Sequence, residues 1–184
     1  MNFSGLSFTK DWTLFLDRDG VISQRKPEDY IRSWEEFRFL DGVLEAMAVF
    51  GNIFGRIIIV SNQQGIGKGL MSAESLKMID FRMKQEITKH GGRVDASYYC
   101  THLASENHPD RKPNTGMGLK AKADFPEIDF SKSVMVGDSA SDMEFGKRLG
   151  MILVLINDIE DKEDLADFRF SSLLGFAVTL RKRS

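Results

Sequence analysis

The chain has 184 residues, enough for one well-buried domain and few for two, so a single domain over residues 1–184 is expected. Hydrophobic residues make up 42% and charged residues 28%, with a net charge of -2, a globular balance without the basic excess of a nucleic-acid-binding surface. No apolar run approaches the ~18 residues of a membrane span and nothing near Met1 reads as a secretion signal, so a cytoplasmic location without a membrane partner is expected. The lone Cys100 can form no internal disulfide.

A short apolar run at 13–16 predicts the first strand and leads into Asp17-Arg18-Asp19-Gly20-Val21. Residues two apart share a strand face, but at the strand end the chain turns, so Asp17 and Asp19 can converge on one point. Residues 20–37 carry no clear periodicity; Val43, Leu44, Met47 and Phe50 then mark a helix from 41 to about 54. A second strand, 57–60, delivers Ser61-Asn62-Gln63. Ser72 opens a stronger helix, with Leu76, Ile79, Met83 and Ile87 on its face and Gly91-Gly92 at its stop. Met71, Met78 and Met83 read as fillers of core gaps. A third strand, 96–99, precedes a loop containing Arg111-Lys112-Pro113, and a helix follows near 116–125. The fourth strand, 133–136, ends at Asp138, with Asp142 near the start of a helix over 141–149; a fifth strand covers 151–156. Residues 161–180 read as a short helix, a brief strand at 168–170 and a last helix. This alternation predicts an α/β fold, a parallel sheet with helices on both faces that binds its ligand at the strands' carboxyl ends.

Those ends are chemically consistent. Two carboxylates from separate strands plus a backbone carbonyl suit Mg²⁺, a hard cation that prefers oxygen, and Asp17, Asp138 and the carbonyl of Asp19 are the candidates. A transferring phosphoryl group spreads negative charge over its oxygens, which Ser61 and Lys112 can meet. Asp142 can both complement the helix dipole and face the metal.

The segments DRDGV, IIIVSN, RKP and GDSASD, in this order and each at a predicted strand end or following loop, resemble the haloacid-dehalogenase-like (HAD) phosphatases over residues 14 to about 156. The resemblance implies a HAD-like Rossmannoid fold with a minimal cap. It also implies Asp17 as a nucleophile forming an aspartyl-phosphate, Asp19 as acid then base, Ser61 hydrogen-bonding the phosphoryl oxygens, Lys112 neutralising charge, and Asp138 with Asp142 organising magnesium. Asp19, crowded by Asp17, Asp138 and the metal, is expected to have a raised or substrate-dependent protonation equilibrium.

The longer stretches DRDGVI, FLDGVLEAM, SNQQGIGKG and RKPNTGM resemble the nearly capless group of D-glycero-D-manno-heptose 1,7-bisphosphate phosphatases and histidinol-phosphate phosphatase domains. They imply a small phosphorylated metabolite as substrate, a heptose bisphosphate first, with histidinol phosphate or another sugar phosphate as alternatives. A phosphoryl-binding protein without turnover is a third reading, and a monomer is favoured. Asn62, Gln63 and Arg111 are the expected contacts to hydroxyls or a second phosphate, while Lys68 and Lys120 either guide anionic substrates or are common surface lysines, and stay outside the site. Tyr30 and Trp34 either pack over the sugar or close the core.

Two departures stand out. The group commonly carries a zinc loop, Cys-x-His then Cys-x-Cys before Arg-Lys-Pro; here Cys100-Thr-His102 is followed by His108-Pro-Asp110. All four are residue types that ligate Zn²⁺, but the missing cysteines, the carboxylate and the shortened loop count against a structural zinc. Ser139 stands where many relatives have a lysine.

Overall fold

A computed structural model describes residues 7–26, 29–156 and 165–182. Six strands form one parallel sheet: β1 (Thr13–Leu16), β2 (Arg56–Asn62), β3 (Ala96–Cys100), β4 (Ser133–Gly137), β5 (Ile152–Ile156) and β6 (Phe168–Phe170). Their order is β3-β2-β1-β4-β5-β6. The chain steps outward from β1 through β2 to β3, then returns to lay β4 on the other side of β1. In register, Leu14 stands between Ile57 and Val134, and Leu16 between Ile59 and Val136. The connections reverse direction between β1 and β4, and ligands in open α/β sheets bind at such a switch point.

Alternation along the strands builds two cores, one per face. Leu14, Leu16, Ile57, Ile59, Val134 and Val136 face α1 (Val43–Ile53), α2 (Ala73–Lys89) and α5 (Leu173–Arg181). Phe15, Ile58, Val60 and Met135 face α3 (Gly116–Asp124) and α4 (Ala140–Leu149). Both faces being covered explains why the strands read as continuous apolar runs. Burying each large side chain contributes about 1.5–3 kcal/mol, which anchors the strand ends that present the polar residues. The Ser72 side chain caps α2 by accepting from the Ser75 N–H at 3.0 Å.

The predicted elements are present with small shifts. The first helix begins at Val43, after a left-handed Gly42, and β2 runs on to Asn62. The strand at 168–170 and the last helix form; the short helix expected from residue 161 begins outside the described residues. Met71 and Met83 are buried as expected, whereas Met78 is 49% exposed and fills no gap. Trp34 closes the core, stacking on Phe37 with ring centroids 5.1 Å apart, while Tyr30 lines the cavity described below. No helix among the described residues is long and apolar enough to cross a membrane.

Candidate active site

Asp17 extends β1 by one ladder bond, its N–H donating to the Val136 carbonyl at 2.9 Å, so its carboxylate stands at the switch point. Across it, β4 ends at Gly137 and delivers Asp138, with Asp142 in the first turn of α4. Ligand oxygens of Asp17, Asp138 and Asp142 all lie within 4.8 Å of one another. Two glycines permit this approach. Gly20 has φ +97°, and a Cβ there would come within 2.0 Å of Asp138 Oδ2; a Cβ on Gly137 would come within 2.1 Å of Asp142 Cβ.

Lys112 is the hub of the cluster. Buried in the loop after β3, its Nζ donates to Asp17 Oδ1 at 2.8 Å and the Val60 carbonyl at 2.6 Å, and pairs with Asp142 Oδ1 at 2.6 Å. Burial alone would lower its pKa, but Asp142 and Asp17 outweigh it and hold the ammonium well above its ordinary value. Asp142 Oδ2 accepts from the Asp138 and Ser139 N–H groups and from Ser139 Oγ at 2.6 Å. Asp142 therefore caps α4 and fixes Lys112 at once, and Ser139 supplies a brace to it.

Asp19 is held by four donors. Arg18 Nε and Ser23 Oγ reach Oδ1, both at 2.9 Å, while Arg18 Nη2 and Gln63 Nε2 reach Oδ2, both at 2.8 Å. Arg18 is fully buried and also donates to Gln63 Oε1 at 2.8 Å. Burial would raise Asp19, yet the Arg18 guanidinium, with Gln63 and Ser23, holds it below the usual carboxylate value. The expectation of a raised equilibrium is thus corrected for the free site: the neighbour Arg18, not the acid cluster, sets the sign.

The other predicted residues divide. Ser61 and Arg111 line the cavity at the carboxyl end of the sheet, about 510 Å³ in volume, together with Asp17, Asp19, Lys112 and Asp138. Asn62 also lines it, but its amide is occupied in tying the loop after β3 to β2, accepting from the Lys112 N–H and donating to the Lys112 carbonyl, both at 3.0 Å. Gln63 is a correction: 2% exposed, it braces Arg18 and Asp19 rather than facing a ligand, and Gln64 lines the cavity instead. Among the described residues the group of three or more whose ligand atoms all lie within 4.8 Å of one another is Asp17, Asp138 and Asp142; the four residues weighed for zinc do not form a second such group. His102 and His108 instead stack ring on ring at 3.7 Å, and His102 Nδ1 meets Glu106 at 2.5 Å. His108 Nδ1 accepts from the Asp110 N–H at 3.1 Å, and Cys100 is buried at the end of β3. Residues the sequence reading passed over are Arg18, Ser23 and Arg25; Arg25 lines the cavity, as do Tyr30 and Lys68, which it weighed without placing in the site.

The residues present fit a hard divalent cation. Three clustered carboxylates face one buried ammonium and an exposed guanidinium, Arg25, 3.3 Å from Asp138. Burial pushes Asp17 up to about 7 despite Lys112, and burial, with Asp142 beside it, raises Asp138 as well. Below these values the acids hold protons that a cation must displace. At pH 6, magnesium binding is expected to release on the order of one proton per ion, and fewer as the pH rises above 7. Titration in a weakly buffered solution measures it; binding with no proton release at pH 6 would contradict the shift.

Residues 6–179 match the family model described as polynucleotide kinase 3 phosphatase. A D-glycero-alpha-D-manno-heptose-1,7-bisphosphate 7-phosphatase of Mycobacterium tuberculosis is 34% identical over 173 residues, 92% of this chain and 91% of that one. The Campylobacter jejuni protein of the same name is 38% identical, over 84% of this chain and 87% of its own. A Vibrio cholerae relative, 37% identical over 75% of this chain and 76% of its own, is named for the beta anomer. Among solved structures, the D,D-heptose 1,7-bisphosphate phosphatase of B. bronchiseptica, complexed with magnesium and phosphate, superposes with TM-score 0.85 and 25% identity, covering 94% of this chain and 99% of that one.

Proposed function

Because the chain belongs to the HAD-like phosphatases matched by the polynucleotide kinase 3 phosphatase family, we propose that it is a magnesium-dependent phosphomonoesterase that removes the 7-phosphate of D-glycero-D-manno-heptose 1,7-bisphosphate. The observation that carries the reading is Asp17 at the switch point, in contact with buried Lys112 and clustered with Asp138 and Asp142. Relatives named for this substrate cover nearly the whole chain, and the neighbour complexed with magnesium and phosphate supports the metal.

Asp17, Asp138 and the Asp19 carbonyl would hold the magnesium ion, with Asp142 at its edge; when bound, the ion supplies positive charge against the phosphoryl oxygens. The ionised Asp17 carboxylate attacks phosphorus in line with the departing C7 oxygen, while Lys112 and the Ser61 hydroxyl stabilise the charge on the equatorial oxygens. Asp19, protonated, gives its proton to the leaving alkoxide, so that the sugar departs as an alcohol and an aspartyl-phosphate remains on Asp17. Asp19 then takes a proton from water as the water oxygen attacks phosphorus, freeing Asp17 and inorganic phosphate. All four lone-pair positions of the Asp19 carboxylate are filled by donors, so a proton needs one of them vacated. Ser23 can do so by rotation alone, since its hydroxyl has the Arg18 carbonyl as a second acceptor at 3.4 Å.

Replacing Asp19 with Asn separates the two half-reactions. Turnover of the bisphosphate is expected to fall roughly 10²–10⁴-fold, the usual contribution of a positioned proton carrier. An aryl phosphate, whose leaving group needs no proton, should instead give a burst of about one equivalent per site and then stall at dephosphorylation. Unaltered turnover of the bisphosphate by Asp19→Asn would remove Asp19 from the mechanism.

The substrate is tested by kcat/KM on both anomers of heptose 1,7-bisphosphate, heptose 7-phosphate, histidinol phosphate and a 3′-phosphorylated oligonucleotide, with magnesium. The bisphosphate is expected to lead; preference for histidinol phosphate or the oligonucleotide would replace it as substrate. Tight binding of the panel without phosphate release would favour a non-catalytic protein.

A further inference from the structure

Gln63 joins the two groups that serve opposite ends of the reaction. It stands one residue beyond β2, where its N–H donates to the Cys100 carbonyl at 2.6 Å, and its side chain is buried. Nε2 uses both of its hydrogens, one on Asp19 Oδ2 at 2.8 Å and one on Ser61 Oγ at 3.1 Å, while Oε1 accepts from Arg18 Nη2 at 2.8 Å. These neighbours fix which way the amide points. Turned over, it would set its oxygen against the Asp19 carboxylate and its hydrogens against the guanidinium. Arg18 Nη1 is buried without a hydrogen-bond partner, so the bond to Gln63 is one of three that hold the guanidinium, the other two going to Asp19.

Asp19 and Ser61 both line the cavity and do different work on the substrate; Gln63 does not line it and acts only through them. Asp19 moves the proton of the departing and attacking oxygens, and the Ser61 hydroxyl meets the phosphoryl oxygens. Resting on the phosphatase reading above, we infer that Gln63 is the positioning residue of this site, a single amide that aims Asp19 and the Ser61 hydroxyl together. For Ser61 the aim follows from donor and acceptor roles. Gln63 occupies a lone pair of Oγ, so the hydroxyl's hydrogen points away from the amide and is left for a phosphoryl oxygen. For Asp19 it follows from the carboxylate: Oδ2 accepts from Gln63 and Arg18 together, so the group keeps its orientation when the Ser23 hydroxyl turns from Oδ1 to the Arg18 carbonyl.

An aryl phosphate, with magnesium, reads the two arms separately. Single-turnover release of the aryl alcohol reports phosphorylation of Asp17, which uses Ser61 and needs no proton for the leaving group; decay of the phosphorylated protein reports dephosphorylation, which also uses Asp19. Gln63→Met, unbranched like the residue it replaces, should slow both steps roughly 10–10²-fold. In a Ser61→Ala protein the same change should leave phosphorylation within about twofold, and in a protein carrying both Ser61→Ala and Asp19→Asn it should leave dephosphorylation within about twofold, because the groups it aims are already gone. Arg18 and Asp19 keep each other as partners in the variant, so the fold should hold, as melting temperature checks; Gln63→Leu repeats the comparison should methionine not be accommodated. Equal slowing in every background would make Gln63 a structural residue only, and unaltered rates in the single variant would remove it from the mechanism. Either result overturns the inference and leaves the phosphatase reading intact. If instead Ser61→Ala and Asp19→Asn alter neither step in a protein that retains Gln63, the reading of the site itself is overturned, and the inference with it.

Discussion

Asp17→Asn is expected to slow phosphate release from the bisphosphate by roughly 10⁴-fold or more, because the amide cannot attack phosphorus. The fold should survive. Burial raises the Asp17 carboxyl to about 7 from an ordinary 3.8. A group raised on folding favours the folded state in its protonated form, so the stability it contributes is present at low pH and is lost as the pH climbs through about 7. The neutral amide removes that loss, and Lys112 retains Asp142 as its partner. The metal-free variant should therefore melt at pH 8 no lower than the parent. Thermal unfolding beside steady-state kinetics checks both halves; retained turnover would defeat the covalent mechanism, and a large drop in melting temperature would give Asp17 a structural role.

Lys112→Met should damage both stability and activity. The ammonium is buried against two carboxylates and a strand carbonyl, and removing it leaves Asp17 and Asp142 buried without their counter-charge. Breaking a buried pair from one side costs about 3–5 kcal/mol, which for a chain of this size lowers the melting temperature by roughly 6–20 °C. Activity should fall on the order of 10²–10³-fold with the loss of charge against the phosphoryl oxygens. Adding Asp17→Asn to Lys112→Met should restore part of the stability and none of the activity, since the amide needs no counter-charge. Equal stability of the single and double variants would show that the pair is not coupled.

Most of the sheet was legible because its strands are buried on both faces and announce themselves as runs such as Ile57-Ile58-Ile59-Val60. Each of the four polar motifs follows a strand, so Asp17, Ser61, Lys112 and Asp138 could be brought to one end of the sheet before any distance was known. What failed was orientation. Ser61 and Gln63 are two apart and so share a face, the one toward Asp19, a relation present in the sequence. Reading Gln63 as a ligand contact overlooked it, and with it the buried Arg18, whose charge and hydrogen bonds hold the Asp19 carboxyl below its ordinary value against the effect of burial. Cys100, His102, His108 and Asp110 are zinc-competent by residue type, which is visible in sequence, but the stacking of His102 on His108 and the burial of Cys100 are not. Lys68, which the sequence left between guiding an anionic substrate and an ordinary surface lysine, lines the cavity with its ammonium over the Tyr30 ring.

The central claim is that Asp17 is phosphorylated by heptose 1,7-bisphosphate. Acid quenching of the magnesium-loaded enzyme during turnover of that substrate, followed by mass spectrometry of its peptides, tests it most directly. The expected result is a phosphoryl adduct on the peptide containing Asp17, together with a product that keeps its C1 phosphate. Steady phosphate release with no adduct on that peptide, or with the adduct on another residue, would contradict it.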